Sequence, residues 1–237
     1  HRLRQRCAAI VIRRNQGYDF GSWKTALNLH RQDIEQSAFL VLTNDSFWGP
    51  ITPLDDLFQR LHASSADVIG LTDNLMYEPH LSSAFIAYKT KALNCQTFGC
   101  FWESLQIWPR KRDLVKQCEV GLPVQLRKAG LKLESLYTHN ANGNVLHYDW
   151  KHLIEQRGFP FLKVSLLRDN PTKQPVYSWP EVIGRRNPSL AANIQRQLRP
   201  KPLLQLIVHG LLRRLNGREH RASRAEMPHT SPRGHRR

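Results

Sequence analysis

Residues 37–43 read SAFLVLT, followed at once by Asn44-Asp45-Ser46 and then Phe47-Trp48-Gly49-Pro50. The apolar run is continuous, bounded by polar residues and too short for a buried helix. Such a run is the pattern of a strand covered on both faces, as in the centre of a parallel sheet. A carboxylate at the carboxyl end of a central strand sits where open α/β sheets bind ligands. Asp45 can hold a divalent cation or hydrogen-bond a ribose there. It can also simply cap the turn, as Asn, Asp and Ser routinely do.

On either side the chain alternates between strand-like and helix-like segments. Residues 7–13 (CAAIVIR) form a short apolar run that predicts a strand. Residues 18–32 predict the following helix, with Trp23, Ala26, Leu27 and the stem of His30 along one side. Residues 53–63 predict a helix with Leu54, Leu57, Phe58 and Leu61 inward, and residues 66–71 (ADVIGL) another strand. Over residues 82–93, Ala84, Ile86 and Tyr88 alternate like a strand, while the later part also fits a helix. Residues 113–129 carry a helical pattern in Val115, Leu122, Val124 and Leu126, with Gly130 as its C-terminal cap. Strands alternating with helices predict an α/β layer architecture. No internal repeat is visible.

Composition narrows the classes. A chain of 237 residues holds one sizeable α/β domain or two small ones. Cys7, Cys95, Cys100 and Cys118 match no zinc or CxxC spacing and read as small buried hydrophobes in a reducing compartment. No secretory signal pattern opens the chain, and no window reaches the roughly 18 apolar residues of a membrane span. His1 leads straight into apolar structure, which reads as a start inside a domain. The net charge is +16, and residues 199–237 hold +8 of it, with 10 basic and 2 acidic side chains. The expected division is therefore a domain over 1–198 and a basic tail over 199–237. Within the tail, residues 202–215 place Leu204, Ile207, Val208, Leu211 and Leu215 at helical spacing, with Arg213 and Arg214 behind them. Beyond Gly217 the composition is that of disorder. The helical stretch suits an anionic membrane surface, or equally a helix packed on the domain.

A second turn repeats the logic of the first. Asn15-Gln16-Gly17-Tyr18-Asp19-Phe20-Gly21 follows the run at 7–13 and opens a helix. Its glycines permit close backbone approach, and a helix start attracts phosphate. The ordered set is more specific. It runs Asn15-x-Gly-Tyr-Asp-Phe-Gly-Ser-Trp, Leu-Thr-Asn-Asp-Ser-Phe-Trp-Gly-Pro, Ile-Gly-Leu-Thr-Asp73, His80-Leu-Ser-Ser-Ala-Phe, Phe101-Trp102, Cys118-Glu119-Val-Gly-Leu and Pro160-Phe-Leu-Lys163. Together these segments resemble the rhamnan synthesis protein F family of bacterial polysaccharide and lipopolysaccharide O-antigen synthesis. The resemblance covers residues 13–170. In two respects the chain departs from it. The family usually has Gln and Tyr where Ser83 and Ala84 stand here, and it carries more sequence before the Asn-x-Gly-Tyr-Asp motif, including the first strand of its nucleotide-binding half.

The resemblance implies an inverting glycosyltransferase that moves a sugar, rhamnose from dTDP-rhamnose, onto a lipid-linked glycan at the cytoplasmic face of the inner membrane. It implies a mostly parallel sheet flanked by helices, a GT-A-like nucleotide-sugar transferase fold without its first strand. Asp45 is then the donor-side residue, contacting the sugar or an Mg²⁺ or Mn²⁺ ion, although the Asp-x-Asp pair of many metal-dependent transferases is missing. Glu119 resembles the acid that inverting transferases place beside the acceptor, and would be the general base. Asp73, after the strand at 66–71, is the alternative base or a donor contact. Asn15, Gly17, Asp19, Asn44 and Ser46 are candidate nucleotide or sugar contacts, or plain turn caps. His80 and Ser82 are candidate donor or acceptor contacts. His147 is a candidate metal ligand, and Lys163 either meets phosphate or snorkels at a strand end. Two other classes remain: an inactive scaffold in polysaccharide assembly, and a nucleic-acid-binding protein suggested by the basic charge but lacking any recognised motif.

Overall fold

The structure, a computed structural model, describes residues 3–75, 78–108, 110–138 and 144–198. The chain opens into helices α1 (Tyr18–Leu29) and α2 (Arg31–Glu35), then strand β1 (Phe39–Thr43), the short strand β2 (Phe47–Trp48) and helix α3 (Asp55–Ala63). Four strands follow, β3 (Val68–Gly70), β4 (Asp73–Asn74), β5 (His80–Leu81) and β6 (Phe85–Lys89). Next come helices α4 (Thr90–Leu93), α5 (Gln96–Ser104) and α6 (Lys111–Leu114), a π-helical turn over Val115–Val120, and α7 (Gly121–Lys128). The remainder is β7 (Leu133–Ser135), α8 (Val145–Tyr148), α9 (Trp150–Glu155), β8 (Leu162–Lys163), α10 (Val164–Arg168), α11 (Trp179–Gly184) and α12 (Pro188–Leu198).

The main sheet has the order β1-β6-β3-β7. β6 runs antiparallel to both β1 and β3, and β3 runs parallel to β7. The sheet is therefore mixed, where a mostly parallel one was expected. β1, read as a central parallel strand, pairs antiparallel on one side and stands at the end of the strand order. The run at 7–13 is not a strand. Ile10 and Val11 are half-exposed and Ile12 is 93% exposed, because no ladder takes their backbone and no sheet face takes their side chains.

The pleat accounts for the core. Along β6, Ile86 and Tyr88 face one side and Phe85 and Ala87 the other, and all four are buried. The first side packs on α1, α5 and α7 through Phe20, Leu27, Phe98, Trp102, Leu122 and Leu126. The second packs on α3, α8 and α9 through Leu57, Leu61, Leu146 and Leu153. A strand covered on both faces reads as a continuous apolar run whichever way its neighbours point. Over 82–93 both readings hold in turn, β6 and then α4. In α3, Leu57 and Leu61 are buried, but Phe58, expected inward, is 43% exposed, one residue round the helix from that face. Of the cysteines, Cys118 is buried, while Cys7 and Cys100 are exposed.

The described residues through Gln195 belong to one compact unit. Of the second, from Arg196 on, only the last residues of α12 are described. The expected amphipathic helix at 202–215 and disordered end lie outside the described residues. No helix among the described residues is long and apolar enough to cross a membrane.

Asp67 ties three strands together. Its backbone N–H donates to the Lys132 carbonyl (2.8 Å) and its carbonyl accepts from Lys89 N–H (2.9 Å). Its carboxylate accepts from the Lys132 amide (2.8 Å) and the Lys91 ammonium (3.1 Å). Removing that carboxylate orphans the amide that leads into β7. Asp67→Ala is expected to lower unfolding stability by about 1–3 kcal/mol in urea denaturation.

Candidate functional site

A cleft of about 750 Å³ opens where β1 hands over to Asn44 and Asp45. Its first wall is the start of α1. Gly17 takes a left-handed φ of 74°, turning the chain into the helix. Four residues on, a Cβ at Gly21 would stand 2.1 Å from the Gln16 carbonyl, so only glycine lets turn and helix close up. The helix is pinned to the strand end. Trp23 Nε1 donates to the Thr43 carbonyl (3.2 Å), and Asn44 Nδ2 donates to Asp19 Oδ2 (3.0 Å). Asn44 Oδ1 accepts the Ser46 amide (3.0 Å), holding the turn that presents Asp45.

The π-helical turn also lines the cleft, through Val115 and Glu119. Pro123, buried in α7, has no N–H for the Glu119 carbonyl four residues back, and in a regular α-helix its ring would clash with that carbonyl. The helix answers by widening just ahead of the proline, over Val115–Val120. Glu119 lies in this turn and faces the cleft. The backbone N–H of Ser83 donates to its Oε1 (3.0 Å). Because Ser83 acts through its main chain, its departure from the family's usual side chain leaves this contact in place.

The floor arrives from far along the chain. β2 pairs antiparallel with β8, setting Phe47 opposite Lys163, and Val164 N–H donates to the Ser46 carbonyl (2.8 Å). Lys163 Nζ lies 5.1 Å from the Phe47 ring centroid. Burial pushes the Lys163 ammonium below the ordinary lysine value. Glu119 pulls it up, Lys111 adds to the lowering, and Asp19 and Asp45 oppose it. Asp19 is shifted the other way, upward, chiefly by burial. The Asn44 hydrogen bond counteracts this, and the charge of Asp45 reinforces it. Lys111 and Arg168 add two exposed cations to the rim. Three carboxylates and three cations thus share one cleft. A phosphate placed among the cations would favour the charged form of Lys163, which burial disfavours.

Behind the floor, buried His147 bridges two hydroxyls. Its Nε2 lies 2.9 Å from Ser165 Oγ in the cleft wall, and its Nδ1 lies 3.4 Å from Thr172 Oγ1. Burial, and then Lys163, hold its pKa below the ordinary histidine value.

The sequence profile of rhamnan synthesis protein F matches residues 1–195. The chain belongs to the rhamnan synthesis protein F family. A Sinorhizobium fredii protein named uncharacterized protein y4gN is 31% identical over 142 residues, 58% of this chain and 37% of its own length. The virulence protein VirA of Vibrio anguillarum is 26% identical over 204 residues, 71% of this chain and 65% of its own length. The chain therefore spans less than two thirds of either relative. No solved structure matches it significantly.

The family's motifs divide between the cleft and its supports. Asn15, Asp19, Asn44, Asp45, Ser46, Ser82, Glu119 and Lys163 line the cleft. Gly17 shapes the turn from behind. Asp73 sits in the β4–β5 ladder opposite Leu81, away from the cleft lining. His80 is buried, its Nδ1–H donating to the Glu78 carbonyl (2.7 Å), and serves that ladder. His147, outside the cleft lining, has both ring nitrogens engaged with hydroxyls. Among the described residues no three His, Cys, Asp or Glu side chains are grouped to hold a metal ion. Lys111, Arg168 and Ser165 were not singled out in the sequence, where they read as a solvated charge or a plain hydroxyl.

The lowered His147 pKa has a stability consequence. The unfolded chain takes up this proton near pH ~6.5, whereas the folded state resists it to lower pH. Stability from this site is therefore complete above that pH and is lost as pH falls below it. Between pH 7.5 and 5.5 the melting temperature of the wild type is expected to drop further than that of His147→Gln.

Proposed function

We propose that the cleft binds a nucleotide sugar and transfers its sugar to a glycan hydroxyl, in the synthesis of a rhamnose-containing polysaccharide. The observation that carries this reading is the meeting of Glu119 with Lys163, Lys111 and Arg168 in one cleft. Sugar transfer from a nucleoside diphosphate needs both elements. Cations must stabilise the leaving diphosphate, and a base must take the proton of the attacking hydroxyl. Lys163, Lys111 and Arg168 serve the diphosphate. Glu119, held by the Ser83 amide, takes the acceptor proton. The hydroxyl oxygen forms its bond to the anomeric carbon as the bond to phosphate breaks, with inversion. Asp45 and Asp19 face the donor sugar, where negative charge stabilises an oxocarbenium-like state.

The proposal extends to a GT-A-like arrangement, supported by helices over both faces of a mixed sheet and a cleft at the carboxyl end of β1. dTDP-rhamnose as donor rests on the family's name. A lipid-linked acceptor at the cytoplasmic face of the inner membrane is suggested by the tail from residue 199 on, which carries +8.

Two substitutions separate the roles. Glu119→Gln keeps the size but cannot accept the proton. It is expected to lower kcat by about 10²–10⁴-fold while leaving dTDP-rhamnose affinity unchanged. Asp45→Asn is expected to weaken donor binding instead. Calorimetry for binding, combined with turnover assays, checks both. A Glu119→Gln enzyme of normal kcat would remove the assignment.

A further inference from the structure

A second concavity, of about 420 Å³, lies between α8–α9 and the segment leading into α11. Its composition is unlike that of the cleft. Tyr148 is 53% exposed and Tyr177 is 86% exposed, and both line it, with Pro175 between α10 and α11 and the edge of buried Trp150. Lys151, Glu155 and Gln156 supply hydrogen-bonding groups of both kinds. Its ionised side chains are of both signs, in a chain of net charge +16. Such a groove has no special attraction for phosphate or nucleic acid.

Wet aromatic side chains beside mixed donors and acceptors fit a neutral ligand that is apolar on its ring faces and polar at its rim. A sugar ring has that form, with C–H groups on its faces and hydroxyls at its edge. We propose that this groove is a glycan-binding site that holds the growing polysaccharide away from its reacting end. The inference rests on the proposed glycan-transferring function. The connections of the groove suit it. α8 turns His147 inward toward Ser165 of the cleft wall and the next residue, Tyr148, outward into the groove. The loop carrying Thr172, which meets His147, continues through Gln174 to Tyr177. That loop is held by paired bonds between Asn170 and Gln174 (2.9 Å each). Chain seated in the groove would bear on the same short frame that supports the cleft.

The test is calorimetric titration of the full chain with a rhamnose tetrasaccharide and, separately, with dTDP. Tyr177→Ala and Tyr148→Ala change exposed side chains, so folding is expected to persist, and circular dichroism checks it. Each is expected to weaken tetrasaccharide binding about two- to tenfold and to leave dTDP binding unchanged. Wild-type affinity in both variants would overturn the proposal. So would a wild type that binds dTDP but no tetrasaccharide, or a groove that takes a proline-rich peptide in preference to the sugar. Tetrasaccharide binding lost in Tyr177→Ala, alongside a wild type that ignores dTDP, would uphold the groove while sinking the reading of the cleft.

Discussion

Pro123 cannot donate to the carbonyl of Glu119, and much of the site follows from that. A regular α-helix through Val115–Val120 would bring each later residue round by about 100° per position. The π-helical turn inserts extra arc and sets the carboxylate of Glu119 at the Ser83 amide, 3.0 Å away, inside the cleft. The buried partners on either side, Cys118 and Val120, stay in the core while this happens. A helix that must bury its neighbours and yet present one carboxylate to a polar cavity meets both demands by a local change of pitch.

The rest of the cleft is assembled by short, specific pairings on the two-faced sheet. β1 ends in a turn that Asn44 locks to Asp19 on one side and to Ser46 on the other. The two-residue β2–β8 ladder carries Lys163 in from more than a hundred positions away. Aromatic contacts stiffen both joints. Phe20 stacks on Trp102 with centroids 5.8 Å apart, and Phe47 stacks on Phe161 at 5.2 Å. Many of the family-marking residues are thus of two kinds, polar residues that line the cleft and aromatic residues that pack behind them, while Asp73 and His80 serve the β4–β5 ladder.

What the sequence shows and what it hides have physical causes. An apolar run such as residues 37–43 reports burial on both faces but carries no sign of strand direction, so the antiparallel insertion of β6 was not legible. Residues 7–13 have the composition of a strand, yet a strand needs a partner ladder, and composition does not supply one. The presence of Asp45 and Glu119 in the cleft lining was legible because punctuation and motif order singled them out. That of Lys111 and Arg168 was not, since a lone cation in sequence is usually a solvated side chain. His147 drew attention as a possible ligand. It lies buried between Ser165 and Thr172, hydrogen-bonded to both hydroxyls, and burial favours its neutral state.

Pro123 and the carboxylate of Glu119 are linked through the widened turn that lies just ahead of the proline. Replacing Pro123 with Ala restores an N–H and lets the helix regularise, relieving a helix-interior penalty of about 3 kcal/mol or less after the loss of packing. The decisive measurement is kcat for the proposed sugar transfer by Pro123→Ala, taken with its urea unfolding curve. Expected is a fall in kcat of about tenfold or more with stability held or raised, because the helix regularises and Glu119 leaves its place. A Pro123→Ala protein that is equally stable and fully active would contradict the claim that the widened turn places the proposed base, Glu119.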